Sequence, residues 1–263
     1  MKFTVRSQAT YGYTNNQELD LANKSIVFLH GAGMDHTVWT LFARHFARHG
    51  HNVIALDLPG HGRSTGAPLT SIEGMSDWLL DVLDELALPE VAVVGHSMGS
   101  LITLDFASRY AERTRSAALV ACTAPMQVSD AILDAARNND QAAFNMLTEF
   151  GYSKRHLYGG NTNPGIWMVG STLRLFERAA PGILYADMNA CNDYQTGVDS
   201  AAKIECPVLV VLGADDRLTP ERSTQALLEA LPEPEVTILQ GAGHTMMVEA
   251  SNELLDALRS WDL

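Results

Sequence analysis

Short apolar runs alternate with longer amphipathic stretches along the first half of the chain. Ser25-Ile26-Val27-Phe28-Leu29, Asn52-Val53-Ile54-Ala55-Leu56, Val91-Ala92-Val93-Val94 and residues 115–121 each read as a buried strand. Between them, residues 39–48, 71–88 and 98–110 read as helices. In the second of these Ile72, Met75, Leu79, Val82, Leu83 and Leu86 form one apolar stripe, which ends near Pro89. Strands that are apolar throughout and separated by helices belong to a parallel sheet covered on both faces. Right-handed crossovers then make it a doubly wound α/β sheet. Ligands of such sheets bind beyond the carboxyl ends of the strands, so reactive residues are sought just after strands.

The rhythm breaks after Ala124-Pro125. Residues 126–200 read as helical pieces cut by Gly and Pro, with helices over 131–150, 165–178 and 185–192 and a loop over 159–165. A strand over 207–212, a helix over 223–231, a strand over 235–239 and a helix over 248–258 then resume the alternation. The expected organisation is one core domain from residues 1–124 and 201–263, with a helical cap of residues 125–200 inserted over the ligand end of the sheet.

Composition narrows the function. The 263 residues carry a net charge of −13, which disfavours a nucleic-acid backbone or an anionic membrane as partner. The hydrophobic fraction of 46% suffices for a core and argues against disorder. Cys122, Cys191 and Cys206 are odd in number and far apart, so neither a disulfide framework nor a zinc cluster is suggested. No targeting segment is visible at the start and no apolar run is long enough to span a bilayer, so a cytoplasmic location is expected. Phosphate-cradling, dinucleotide-binding and metal-ligand motifs are missing from the sequence, and no cofactor or metal is expected.

The strongest local signal is Gly95-His96-Ser97-Met98-Gly99, between a strand and a helix. A serine on that turn is raised above the sheet, with glycines at −2 and +2 so that strand and helix approach closely. Its hydroxyl needs a base. Of nine histidines, His244 lies in a glycine-rich loop just after the last strand. His45, His49 and His51 gather at a surface helix end, and His61 reads as part of a turn. His156 falls in the insertion, His96 should point away from Ser97, and nothing singles out His36. The acid that holds the imidazole is Asp215 or Asp216, both of which follow the strand ending at Leu212. Oxyanion charge needs two N–H donors, for which the candidates are the amide of Met98 and that of Ala32 in His30-Gly31-Ala32-Gly33.

These residues, with Asp57-Leu58-Pro59-Gly60-His61-Gly62-Arg63-Ser64 and the stretch from Gly213 to Pro220, resemble the α/β-hydrolase superfamily, in its capped serine esterase and C–C-hydrolase-like branch. The resemblance covers nearly the whole chain, the insertion least. It implies an α/β-hydrolase fold with an N-terminal antiparallel hairpin over 3–5 and 10–14. It selects Asp216, the fourth position of the family's G-x-x-D-x-x-x-P pattern, to complete a catalytic triad of Ser97, Asp216 and His244. It also supports Ala32 and Met98 as oxyanion-hole donors. Family dehalogenases and epoxide hydrolases carry an aspartate where Ser97 stands, so those activities are disfavoured.

The expected activity is cleavage of a small or medium carboxylic ester through an acyl-enzyme. The alternatives are a C–C bond hydrolase, lactonase or thioesterase using the same triad, and a small-molecule sensor on the same scaffold. The expected partner is a small ester-like molecule, and the oligomeric state, monomer or homodimer, stays open. Met126, Met146, Met168, Met188, Phe144, Trp167 and Phe176 of the insertion, with Met98 and Met246-Met247, are candidates to line an apolar pocket. Arg155, Arg174 and Arg178 are candidates to bind a substrate carboxylate.

Overall fold

The computed structural model describes residues 1–161 and 165–261. It contains an eight-stranded sheet in the order β1-β2-β4-β3-β5-β6-β7-β8. The strands are β1 (Lys2–Val5), β2 (Gln8–Tyr13), β3 (Ser25–Leu29), β4 (Asn52–Asp57), β5 (Val91–His96), β6 (Thr114–Val120), β7 (Val208–Gly213) and β8 (Glu235–Leu239). The first two form an antiparallel hairpin, and β2 meets β4 antiparallel. From β4 to β8 every pairing is parallel.

Alternate residues of the central strands feed two separate cores. Ile26, Phe28, Ala92 and Val94 pack with Trp39, Phe42 and Phe46 on the face of α1 (Thr40–Arg48) and α12 (Ser251–Ser260). Val27, Leu29, Val91 and Val93 pack on the opposite face against α2 (Ile72–Glu85) and α3 (Met98–Arg109). This two-sided burial is why the strands are apolar throughout rather than alternating. Ser71 caps α2, its hydroxyl accepting from Gly74 N–H.

The chain runs from β3 outward to β4, then returns to place β5 on the other side of β3. That reversal opens a crevice beyond the carboxyl ends of β3 and β5, the general ligand position in such sheets. Leu29 pairs with Gly95, so the loops leaving these two strands begin side by side.

Between β6 and β7 the described elements are all helical: α4 (Asp130–Arg137), α5 (Gln141–Gly151), α6 (Lys154–Leu157), α7 (Met168–Arg178), α8 (Ile183–Asp193) and α9 (Gly197–Ala201). The single helix expected over 131–150 is two. Asn139 adopts a positive φ of 51°, and Asp140 restarts the helix by accepting from Ala142 N–H. A local side-chain cap thus overrides a periodicity that continues through the break. The helix expected over 248–258 also divides, into α11 (Met246–Glu249) and α12, at Ala250 with its non-helical φ of −136°. The remaining helix, α10 (Glu221–Ala230), follows β7, and α9 packs against α3 and α10. Residues 162–164 of the loop expected over 159–165 lie outside the described residues.

The turn from β5 into α3 is built on missing side chains. A Cβ on Gly95 would sit 2.0 Å from the Gly99 carbonyl oxygen, and one on Gly99 would sit 2.4 Å from that of Leu29. Both neighbours are backbone and cannot swing aside. Gly95→Ala should therefore destabilise the protein by about 3 kcal/mol or more, measured by equilibrium urea denaturation. A cost below about 1 kcal/mol would show that the turn can open.

Candidate active site

Ser97 occupies the turn with φ 54° and ψ −117°, a conformation strained for any residue with a side chain. Its own N–H donates to Val120 O at 2.9 Å, and its carbonyl accepts from Ser100 and Leu101 N–H. The turn is therefore pinned from both sides. The amide of Met98 opens α3 and, like that of Ala32, has no acceptor among the described residues.

Asp216 and His244 arrive from the loops after β7 and β8. Those loops touch: a Cβ on Gly213 would lie 2.3 Å from Gly243 O, and Asp215 N–H donates to Ala242 O at 2.9 Å. Asp215 is thus committed through its backbone, and its neighbour faces the ring. Asp216 Oδ2 lies 2.9 Å from His244 Nδ1 and accepts from the Thr219 hydroxyl at 2.7 Å. Oδ1 accepts from Leu218 and Thr219 N–H at 2.8 and 2.9 Å. Burial alone would raise the Asp216 pKa, but the imidazole and the Thr219 donors hold it well below the usual carboxylate range. With Nδ1–H given to Asp216, Nε2 of His244 keeps its lone pair.

His244 and Ser97 line one cavity of about 290 Å³. Its walls include Met34, Met126, Ile132, Leu147, Phe176 and Met188. Of the residues expected to form an apolar pocket, Met126, Met188 and Phe176 are there. Met246 and Met247 instead pack in the core on the other side of the sheet, because α11 turns them away. None of Arg155, Arg174 and Arg178 lines this cavity. Arg174 pairs with Glu177, Arg155 donates to Gly160 O, and Arg178 binds Asp35 beside a second cavity of about 220 Å³. The guanidinium that does line the main cavity, Arg217, was missed in the sequence. Its Nη2 donates to the carbonyls of Glu149 and Tyr152, it stacks over Phe150, and no carboxylate pairs with it among the described residues. Its place immediately after Asp216 was the available signal.

The other histidines divide by environment. His96 donates from Nε2–H to His244 O at 3.0 Å. Burial, with the nearby His244 ring, pushes its pKa down to about 3. His30 donates from Nδ1 to Gly31 O and accepts Leu58 N–H at Nε2, and burial takes its pKa down to about 4. His61 is more than part of a turn: it pairs at 2.8 Å with Asp187 of α8. His156 likewise pairs at 2.9 Å with Glu249 of α11.

One cluster, Asp35, His36 and Asp57, has metal-ligand spacing. Its oxygens already hold N–H and O–H donors, however. Asp57 accepts from His36 N and Nδ1 and from Arg63 N, while Asp35 accepts from Thr37 and Arg178. That donor-filled set is the pattern of a structural network.

A model of the alpha/beta hydrolase family matches residues 26–257. The chain belongs to that family, and with it to the hydrolases. Among curated relatives, the (E)-2-((N-methylformamido)methylene)succinate hydrolase of Acinetobacter baylyi is 25% identical over 243 residues, covering 90% of this chain and 89% of its own. The pimeloyl-[acyl-carrier protein] methyl ester esterase of Chromobacterium violaceum is 27% identical over 250 residues, covering 89% and 92%. Among solved structures, the enol-lactonase from Burkholderia xenovorans LB400 superposes with a TM-score of 0.84 at 18% identity, covering 99% and 98%, a likeness of fold. No helix among the described residues is long and apolar enough to cross a membrane.

The depressed Asp216 pKa links stability to pH. A carboxyl whose folded pKa lies below its unfolded value of 3.8 stabilises the fold above that value and loses the contribution as pH falls toward the folded one. Below about pH 4 the stability of Asp216→Asn should thus fall less steeply with acidification than that of the parent. Urea denaturation between pH 3 and 7 measures this, and parallel slopes would contradict it.

Proposed function

We propose that the protein is a serine hydrolase of small or medium carboxylic esters, with Ser97, His244 and Asp216 as its triad. The reading is carried by the His244–Asp216 hydrogen bond, whose ring shares a cavity with the strained Ser97. His244 Nε2 takes the Ser97 hydroxyl proton as Oγ attacks the ester carbonyl. The amides of Ala32 and Met98 receive the developing oxyanion, aided by the positive end of α3. The tetrahedral adduct collapses to an acyl-enzyme, and the imidazolium returns its proton to the leaving alkoxide. Water then gives a proton to His244 and attacks the acyl carbonyl, releasing the acid and restoring Ser97. Asp216 fixes the ring's tautomer and stabilises its charged form throughout. Among the described residues no hydrogen bond joins Ser97 Oγ to the ring, and contacts of this kind often close only around bound substrate.

Residues 125–200 act in this reading as a cap whose side chains form the acyl wall. A cavity of about 290 Å³ suits short acyl chains. The protein works in the cytoplasm, without metal or cofactor. Ser97→Ala should lower kcat/KM on p-nitrophenyl butyrate by about 10⁴-fold or more with an unchanged urea midpoint. Retained turnover would remove Ser97 from the mechanism.

A second reading, a C–C bond or lactone hydrolase acting on a substrate that carries a carboxylate, draws support from Arg217. An ion-paired hydrogen bond there would fix the far end of a substrate. In this reading Arg217→Ala raises KM about tenfold for a half-ester of a dicarboxylic acid, compared with its effect on a neutral ester of equal length. Comparing two substrates on one variant cancels any loss of the Glu149 and Tyr152 contacts. Equal effects on both would leave Arg217 a purely structural staple.

A further inference from the structure

Two buried carboxylates lie outside the triad and touch both of its working loops. Asp187, on α8 of the inserted segment, uses one oxygen, Oδ2, for two bonds that leave the segment. It accepts Gly33 N–H at 2.8 Å and lies 2.8 Å from His61 Nε2. Gly33 is the neighbour of Ala32 in the oxyanion loop. Glu249, on α11 of the core, makes the reverse connection. Its Oε1 accepts Gly243 N–H at 3.1 Å, beside His244. Its Oε2 accepts Ser153 N–H at 2.9 Å and lies 2.9 Å from His156 Nδ1, both in the inserted segment.

The two pairs therefore share one construction. A carboxylate binds a backbone amide one residue from a working group, and a histidine supplied from across the boundary holds that carboxylate. We propose that Asp187 and Glu249 are positioning residues, which bring the oxyanion loop and the His244 loop into working geometry only when the inserted helices are seated on the sheet. The proposal rests on the catalytic reading of Ser97, His244, Ala32 and Met98.

Three further observations fit. Among the described residues Asp187 Oδ1 is buried with no partner, a costly arrangement for a group whose purpose was stability alone. Both nitrogens of His61 face acceptors, Pro59 O at 3.0 Å and Asp187 Oδ2, which a doubly protonated ring satisfies. Burial would lower its pKa, yet the Asp187 carboxylate outweighs it and raises the pKa, so the contact favours the doubly protonated ring and is directional. Finally, the loops have little other freedom to find their place. Gly33 has φ +67° and abuts Leu184 and Phe176 of the inserted helices, while Thr245 donates through both N–H and hydroxyl to Gly151 O.

The isosteric variants Asp187→Asn and Glu249→Gln in the full chain test this, with two readouts. Amide hydrogen exchange followed by NMR should accelerate at Gly33 in the first and at Gly243 in the second, while β5 amides keep their protection. On p-nitrophenyl butyrate, kcat should fall by roughly ten- to a hundredfold with KM within about twofold. Unchanged exchange at both glycines, acceleration spread evenly over the sheet, or an undiminished kcat would each overturn the proposal. Should either variant fail to fold, His61→Gln and His156→Gln break the same pairs from the other partner, with the same expectations. If the parent protein shows no esterase activity, the proposed function fails. The exchange result then decides the coupling by itself: selective acceleration at the two glycines supports it, and none overturns it.

Discussion

Everything at the site depends on backbone meeting backbone without Cβ atoms between. Gly95 and Gly99 let α3 start directly against β5 and the carboxyl end of β3, and Gly213 lets the loop after β7 lie on the loop after β8. Strands in a sheet are spaced by their hydrogen bonds at about 4.8 Å. Groups at the ends of β5, β7 and β8 can meet only if the loops that carry them fold inward to near contact. A methyl group at any of these three glycines would fall within 2.5 Å of a carbonyl oxygen. The strain at Ser97 is sustained because Val120 O on one side and the first turn of α3 on the other leave the residue no alternative.

On this frame the electrostatics divide the buried histidines into two kinds. His30 and His96 are deprived of charge by burial, with pKa values pushed down to about 4 and about 3. They serve as neutral braces, each with a defined tautomer: His96 holds the carbonyl of His244, and His30 holds Leu58 N–H. His36, His61, His156 and His244 each face a buried carboxylate instead. Had His96 also been charged, its ring, 4.9 Å from that of His244, would oppose an imidazolium there. In the proposed mechanism the Asp216 carboxylate on the far nitrogen stabilises the imidazolium that forms when the ring takes the Ser97 proton.

Much of this was legible in the sequence because its signals are local. Each of the strands read from apolar runs appears within a residue or two, since two-sided burial leaves a continuous apolar stretch. The rule that loops at the carboxyl ends carry the ligands points to Ser97, to Asp215 or Asp216 and to His244, and the resemblance to the family selects Asp216. Where reading failed, two nearby terms competed. The stripe over 131–150 continues through Asn139, but a side-chain cap at Asp140 is worth about 1 kcal/mol and resets the helix. Met246 and Met247 follow His244 closely enough in sequence to be candidates for the same wall, but the short turn of α11 sends them to the opposite core.

The pairs of His61 with Asp187 and His156 with Glu249 belong to a different category. Their partners are 126 and 93 residues apart, joined by neither periodicity nor motif. In sequence, His61 is a turn residue and His156 one more histidine of the insertion. What identifies them is an energetic oddity visible only in three dimensions. Burying a hydrogen-bonded carboxylate–imidazole pair gains little stability over an apolar contact of the same volume, while removing one partner costs heavily. An apolar contact would hold the inserted helices to the sheet equally well, but it carries no direction. A carboxylate oxygen that must accept a particular amide specifies where that amide lies to within a few tenths of an ångström. Under the proposed function, polar groups at this boundary are best explained by the placement of Gly33 and Gly243, whose neighbours are the oxyanion donor Ala32 and the base His244.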